Sequence, residues 1–194
     1  MNKPCKIFLG MLALSAVLLS GCAKDKTEQP PENLSGPEAA GETSPSESEP
    51  SSASITFEGT DLEGNAVTSS IFSQSRLTMV NVWATYCNPC LNEMPALGEL
   101  AADYETEEFQ IIGIVSDVLE GEDTSLTESL VEQTGAHYTH LLLNESIYDG
   151  LLTDVTAVPT TFFLDKDGVI LDTVIGAMEK SGWEEKINGL LEKD

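Results

Sequence analysis

The stretch "VNVWATYCNPCLNEMPAL", residues 80–97, decides the fold because the regular structure changes around its two cysteines. Apolar and β-branched residues predict a buried strand over residues 77–84. Apolar residues then recur at helical spacing over residues 88–104, which predicts a helix. Cys87 therefore lies at the N-terminus of the predicted helix, and Cys90 lies one turn further on.

A thiol at a helix N-terminus ionises more easily than an ordinary thiol. Unpaired backbone N–H groups and the helix dipole favour a negative charge there, which lowers the pKa of Cys87. The thiolate is the nucleophile in disulfide exchange. Pro89 suits the first helical turn because it has no N–H to leave unpaired. The pattern predicts that Cys87 attacks a disulfide and that the more buried Cys90 resolves the product.

Two other interpretations of the cysteine pair compete with a redox couple. A closed zinc site needs four ligands, and Cys87 and Cys90 supply only two. The two histidines, His137 and His140, point to opposite faces of a predicted strand, which favours surface or structural roles. A structural disulfide gains little because the loop it closes is very short. We therefore predict a redox couple and no metal.

The N-terminal residues predict export and lipidation. A basic start and an apolar run, too short to span a bilayer comfortably, predict a signal peptide over residues 1–21. The run ends in "LSGC", which resembles a bacterial lipobox with Cys22 as the lipidated N-terminus. An ordinary secreted protein cleaved nearby is the alternative. Residues 22–54 are rich in Pro, Ser and Glu and predict a disordered acidic tether, which leaves residues 55–194 as one folded domain.

Charge and cysteine usage restrict the possible partners. The folded domain has five Lys and Arg against 26 Asp and Glu, which excludes nucleic acid because phosphates need a positive patch. Cys5 is removed with the signal peptide and Cys22 is lipidated, so Cys87 and Cys90 are the only free cysteines predicted in the mature protein. Outside the cytosol such a pair can form a disulfide without a rival partner.

Strands and helices alternate over the folded domain. An alternating segment around the turn "EGN" predicts a small N-terminal hairpin. The other predicted elements are a strand over residues 109–116, a helix over 125–136 with a capping box between Ser125 and Glu128 and a stop at Gly135, a strand over 137–144, a short helix over 145–152, two strands around "DKDG" within 159–176, and a helix over 181–193. This order predicts an α/β fold with a mixed sheet flanked by helices.

The cysteine motif and the later segment "VTAVPTTFFLDKDGVI", residues 155–170, together resemble the thioredoxin superfamily. The nearer resemblance is to its extracytoplasmic, membrane-tethered branch, the TlpA-like and ResA-like thiol–disulfide oxidoreductases. It rests on Trp83 four residues before Cys87, the Cys-x-Pro-Cys and Glu-x-Pro patterns, and Val-Pro-Thr before a Phe-rich strand. It implies a thioredoxin-like fold with a hairpin-like N-terminal extension and a central helix–strand insertion over residues 125–143.

The resemblance also implies residue roles. Cys87 is the nucleophile and Cys90 the resolving thiol of a redox disulfide. Trp83 packs beside the couple, Pro159 is the cis-proline facing the disulfide, and the backbone of Val158 pairs with a substrate strand. Trp83, Val158 and Pro159 thus form the predicted substrate-binding set. A cis peptide bond is affordable only before proline, which agrees with the residue type at position 159.

The sequence departs from thioredoxin at two positions. Thioredoxin has a buried aspartate six residues before the first cysteine, where this sequence has Asn81, which cannot accept a proton. Glu93 lies three residues after Cys90 and matches a glutamate of the ResA-like proteins, so it is the predicted proton acceptor. The alternative is an exposed glutamate favoured by the helix dipole. The second departure is Asn88 between the cysteines, where thioredoxin has glycine. The residues between the cysteines tune the reduction potential, so the sequence does not fix its value.

The resemblance implies a monomeric, lipid-anchored reductase at the outer face of a bacterial cell membrane, acting on disulfides of exported proteins. The sequence has no dinucleotide-binding motif and no P-loop, so we expect no cofactor, and electrons from a membrane thiol carrier of the CcdA or DsbD kind. Targets include apocytochrome c, as in cytochrome c biogenesis, oxidised exported proteins and, as antioxidant activity, a methionine sulfoxide reductase. The alternatives are an oxidant that forms disulfides and a non-enzymatic copper-binding lipoprotein. A peroxiredoxin is disfavoured because Cys87 lacks the Pro-x-x-x-Thr-x-x-Cys setting.

Overall fold

The computed structural model of the protein describes residues 54–193. The predicted signal peptide over residues 1–21, the predicted lipidation site Cys22 and the predicted tether up to residue 53 lie outside the described residues. Within residues 54–193, no helix combines the length and the apolar character needed to cross a bilayer.

A five-stranded mixed sheet forms the centre of the described domain. Its strands and those of a small separate hairpin are β1 (Glu58–Thr60), β2 (Ala66–Thr68), β3 (Leu77–Trp83), β4 (Phe109–Leu119), β5 (Thr139–Leu143), β6 (Thr160–Asp165) and β7 (Ile170–Ile175). The helices are α1 (Asn88–Asp103), α2 (Ser125–Thr134), α3 (Glu145–Ile147) and α4 (Lys180–Leu191), with a 3₁₀ helix (Ser69–Gln74) and a π-helical turn (Tyr148–Leu152). The predicted mixed sheet flanked by helices is confirmed.

The strand order is β5-β4-β3-β6-β7. Strand β3 runs parallel to β4 and antiparallel to β6, while β5 extends the parallel part and β7 extends the antiparallel part. The predicted N-terminal hairpin is also confirmed, since β1 pairs antiparallel with β2. Its turn contains Gly64 at φ +84°, a left-handed conformation that glycine adopts without steric cost.

Both faces of the central strand β3 are covered, and all seven of its residues are buried. Even-numbered residues such as Val80 and Val82 pack in one cluster with Phe57 and Phe72 from the N-terminal segment. Odd-numbered residues face α1 and α4, because side chains alternate along a strand. This alternation places Asn81 and Trp83 on the same face as the helix that carries the cysteines.

Helix α2 begins and ends near the predicted residues, but the predicted capping box is wrong. Thr124, not Ser125, is the N-cap, and no side chain caps the first turn. The backbone N–H and the hydroxyl of Ser125 both donate to Asp123, which removes Ser125 as a cap. Glu128 instead accepts a hydrogen bond from the Thr124 hydroxyl. Gly135 ends the helix in a left-handed conformation, as predicted.

Candidate redox site

A disulfide between Cys87 and Cys90 lies at the N-terminus of α1, with the two Cα atoms 5.3 Å apart. Cys87 is the N-cap, and its sulfur accepts the backbone N–H of Cys90 at 3.2 Å. Pro89 occupies the first helical turn. Cys87 is 5% exposed and Cys90 is fully buried. Cys87 is therefore the more exposed cysteine of the pair, and a thiolate there faces a backbone donor and the positive end of the helix dipole.

The segment before Cys87 is fixed by an aspartate that the sequence analysis missed. The backbone N–H of Thr85 donates to Asp117 at 3.0 Å, and the Thr85 hydroxyl donates to the same carboxylate. Asp117 lies in β4, directly after the segment predicted as a strand. Because carboxyl ends of adjacent parallel strands meet at one edge of a sheet, this position was a signal that Asp117 lies near Cys87.

The peptide bond between Val158 and Pro159 is cis, as the resemblance predicts. Val158 is half-buried and packs against the buried cluster that contains both cysteines. A cavity of about 250 Å³ opens beside this segment, and its lining includes Val158, Leu152, Tyr148 and Tyr86, the residue before Cys87. Tyr86 is 74% exposed, so an aromatic side chain is accessible at the residue that precedes Cys87.

Asn81 in β3 and Glu93 in α1 are both buried. The Asn81 amide nitrogen donates to Glu93 Oε1 and to Thr161 Oγ1, at 3.1 Å each. The backbone N–H of Met178 donates to the other carboxylate oxygen of Glu93 at 3.2 Å. The amide oxygen of Asn81 has no hydrogen-bond partner among the described residues. Glu93, at 4% exposure, is not the solvated first-turn residue of the alternative interpretation.

Burial dominates the acidity of Glu93. Desolvation raises its pKa from 4.5 to about 7, although the hydrogen bonds from Met178 and Asn81 oppose this change. A carboxyl group with a pKa near neutrality exchanges a proton readily at physiological pH. Glu93 also lies three residues after Cys90 on the same helix, so the two side chains lie on neighbouring positions of its surface.

Trp83 is fully buried in the same cluster as Cys87 and Cys90. Its side chain has no solvent-exposed surface, whereas Val158 is half-buried, and a role of Trp83 in substrate binding stays a prediction. Its indole N–H donates to Nδ1 of His140 at 3.2 Å. His140, which the sequence analysis left as a surface or structural residue, is buried, and burial lowers its pKa to about 4.

The two histidines do not extend the cysteine pair into a metal site. His137 is exposed, while the ring nitrogens of His140 are engaged by Trp83 and by the carbonyl of Ala136. Across residues 54–193, no group of three His, Cys, Asp or Glu side chains is placed to hold a metal ion.

Comparison with known proteins defines the class of this molecule. A family model described as the AhpC/TSA family matches residues 51–173. Thiol-disulfide oxidoreductase ResA of Bacillus thuringiensis (strain Al Hakam) is 30% identical over 137 residues, which are 71% of this chain and 73% of that protein. A thioredoxin domain of a thiol-disulfide oxidoreductase from Bacteroides vulgatus superposes with a TM-score of 0.56 at 21% identity, over 69% of this chain and 94% of that one. A putative thiol:disulfide interchange protein DsbE from Chlorobium tepidum superposes with a TM-score of 0.58 at 24% identity, over 70% and 93%.

The structural similarities confirm a thioredoxin-like fold. The similarity to ResA identifies the protein as a thiol–disulfide oxidoreductase. The chain belongs to the AhpC/TSA family, and it resembles ResA of Bacillus thuringiensis.

Proposed function

We propose that the protein is a membrane-tethered, extracytoplasmic reductase of disulfides in exported proteins. The observation that carries the proposal is the asymmetry of the couple. Cys87 is the more exposed cysteine and caps a helix N-terminus, whereas Cys90 is fully buried in a helix that also holds the buried carboxyl group of Glu93. This arrangement suits a nucleophilic thiolate at Cys87 and a thiol at Cys90 that must lose its proton before it reacts.

The proposed reaction has two exchange steps. The Cys87 thiolate attacks one sulfur of the substrate disulfide, whose S–S bond breaks, and the other substrate sulfur leaves as a thiolate. Cys90 then gives its proton to Glu93 and attacks the Cys87 sulfur, which releases the second substrate thiolate and forms the Cys87–Cys90 bond. The substrate gains two electrons and the couple loses two. A pKa of about 7 lets Glu93 accept this proton at neutral pH.

The substrate is proposed to lie along the segment before the cis peptide bond. Val158 is half-buried, and its backbone is proposed to pair with an extended substrate strand. The adjoining cavity, flanked by Tyr86 and Tyr148, suits an apolar side chain close to the substrate cysteine. Re-reduction is assigned to a membrane thiol carrier of the CcdA or DsbD kind, because the oxidised couple needs a dithiol donor.

Lipidation of Cys22 is the proposed membrane tether. The sequence "LSGC" at residues 19–22 supports it, as does the polar segment that follows. Metabolic labelling with a radioactive fatty acid tests this directly: the wild-type protein should incorporate label, and Cys22→Ser should incorporate none. Label in Cys22→Ser would exclude this anchor.

Trapping of mixed disulfides tests the mechanism. Cys90→Ser should accumulate covalent complexes with exported proteins in cells, because Cys87 attacks but cannot be released. The matched control is the double variant Cys87→Ser/Cys90→Ser, which should trap nothing. If Cys90→Ser yields no more complexes than this control, the proposed mechanism is wrong.

The direction of electron flow is tested by the reduction potential of the Cys87–Cys90 couple. A value near that of thioredoxin, about −270 mV, is expected for a reductase, whereas a value near about −120 mV would identify a disulfide-forming oxidant. Equilibration with glutathione buffers of known ratio measures it.

A further inference from the structure

A histidine from an edge strand of the sheet holds the indole of Trp83. His140 lies in β5 and Trp83 lies in β3, with β4 between them. The Trp83 indole N–H donates to His140 Nδ1, and the two rings meet edge to face with centroids 5.5 Å apart. Both side chains are almost completely buried, so water cannot replace this hydrogen bond.

The hydrogen bonds of His140 require one neutral tautomer. The Trp83 indole nitrogen can only donate, so Nδ1 of His140 must offer its lone pair. The carbonyl of Ala136 can only accept, so Nε2 of His140, 2.8 Å away, must carry the proton. A second ring, that of Tyr138, lies 4.5 Å from the imidazole centroid. The position of the imidazole is therefore fixed, with Nδ1 as the acceptor and Nε2 as the donor.

Gly113 leaves the space through which the histidine reaches Trp83. It lies opposite His140 in the β4–β5 ladder. A Cβ atom at position 113 would stand 2.2 Å from His140 Nδ1, the atom that accepts the indole N–H. The absence of a side chain at position 113 of β4 therefore leaves room for the hydrogen bond between His140 and Trp83.

We propose that His140 is a positioning residue for disulfide exchange, which holds Trp83 as a fixed inner wall against Cys87 and Cys90 while the disulfide opens and closes. Trp83 shares one buried cluster with both cysteines, so rotation of its indole changes the space into which the sulfurs separate. The proposal rests on the proposed function, namely that this couple exchanges disulfides through Cys87.

The test measures how fast the reduced full chain attacks cystamine, a small disulfide. His140→Leu removes the acceptor for the Trp83 indole and should slow the reaction about fivefold to tenfold, the effect of losing one buried hydrogen bond. His140→Gln offers a side-chain oxygen as acceptor and should react within about twofold of the wild type. The indole N–H proton resonance of Trp83, identified by its loss in Trp83→Phe, should shift in His140→Leu.

Leu141→Ala is the matched control for lost packing. Leu141 is the next residue of β5 and is equally buried, but it packs in the cluster on the opposite face of the sheet. This variant should lose stability and keep both the exchange rate and the Trp83 resonance of the wild type. Equal slowing in His140→Leu and Leu141→Ala would reduce His140 to a structural residue and overturn the proposal.

Trp83→Phe keeps an aromatic ring but has no N–H to donate. It should slow exchange as much as His140→Leu does, and adding His140→Leu to it should cause no further slowing. If His140→Leu does not fold, Trp83→Phe still tests the proposal. Exchange at the wild-type rate in Trp83→Phe would contradict it. If the wild type reacts no faster than Cys87→Ser, the proposed function itself fails, and the positioning role falls with it.

Discussion

At the scale of single residues, Glu93 links acidity to stability. Its carboxyl group is neutral in the folded protein up to about pH 7, whereas the unfolded chain loses that proton near pH 4.5. The folded state therefore binds more protons between these values, and its stability falls as the pH rises through this window. Above its pKa in the folded protein, Glu93 is ionised while buried, which lowers the stability of the folded state.

Glu93→Gln should remove this pH dependence. Between pH 4.5 and pH 8, the wild type should lose about 3 kcal/mol of unfolding free energy that the variant does not lose. This figure follows because each pKa unit corresponds to about 1.4 kcal/mol. Urea unfolding of the oxidised proteins at both pH values measures it. Glu63→Gln, in the exposed hairpin turn, is the control and should run parallel to the wild type. A difference between Glu93→Gln and wild type that stays constant with pH would refute the assigned acidity.

The individual residues differ in how far the sequence reveals them. The position of Glu93 one helical turn after Cys90 was predictable, because both residues lie in one helix whose spacing the sequence displays. His140 and Trp83 are 57 residues apart and meet only because β5 lies beside β4 in the sheet. Periodicity predicts such a strand but does not predict its place in the strand order. The hydrogen bond between them was therefore beyond sequence reasoning, as was the complete burial of Trp83.

At the scale of elements, α1 and α2 approach each other closely at Gly98. Gly98 in α1 allows the carbonyl of Gly135, at the end of α2, to come so near that a Cβ atom at position 98 would stand 2.3 Å from it. The helices themselves were predictable from local periodicity. Their contact was not, because the sequence displays Gly98 only as an isolated glycine within a helix.

Gly98→Ala should destabilise the protein although alanine favours helices. The added methyl group collides with the backbone of Gly135. We expect this collision to lower the free energy of unfolding by about 1–3 kcal/mol, more than the gain of about 1 kcal/mol from the higher helix propensity of alanine. Gly189→Ala in α4 is the matched control, since nothing lies within 4 Å of its added Cβ atom, and it should be stabilising. Midpoints of urea unfolding compare the two. Equal gains in both variants would contradict the helix contact.

At the scale of the whole molecule, the folded domain is strongly acidic. It has five Lys and Arg against 26 Asp and Glu. Among residues 54–193, ion pairs join Arg76 to Glu108, Lys180 to Glu99 and Asp103, and Lys186 to Asp172. A field of one sign attracts oppositely charged reactants and raises their association rate. Substrate charge should therefore affect the exchange rate independently of disulfide chemistry.

Cationic disulfides should react faster than anionic ones. At low salt, we expect the reduced protein to attack cystamine about tenfold faster than oxidised glutathione, after each rate is divided by that of 2-mercaptoethanol as reference thiol. The ratio should shrink as salt is added, because the Debye length falls from about 30 Å at 0.01 M to about 3 Å at 1 M. Stopped-flow kinetics measure it. A ratio independent of salt would exclude electrostatic attraction by the domain.

The bare backbone at Gly113 also constrains how this sequence can change over generations. While His140 is present, a side chain at position 113 meets its ring, so glycine is the only residue that fits there. If a smaller residue replaces His140 first, position 113 becomes free to acquire a side chain, and that side chain then bars the return of histidine. Substitutions at these two positions are therefore ordered in time, and ancestral reconstruction should find the change at 140 preceding the change at 113.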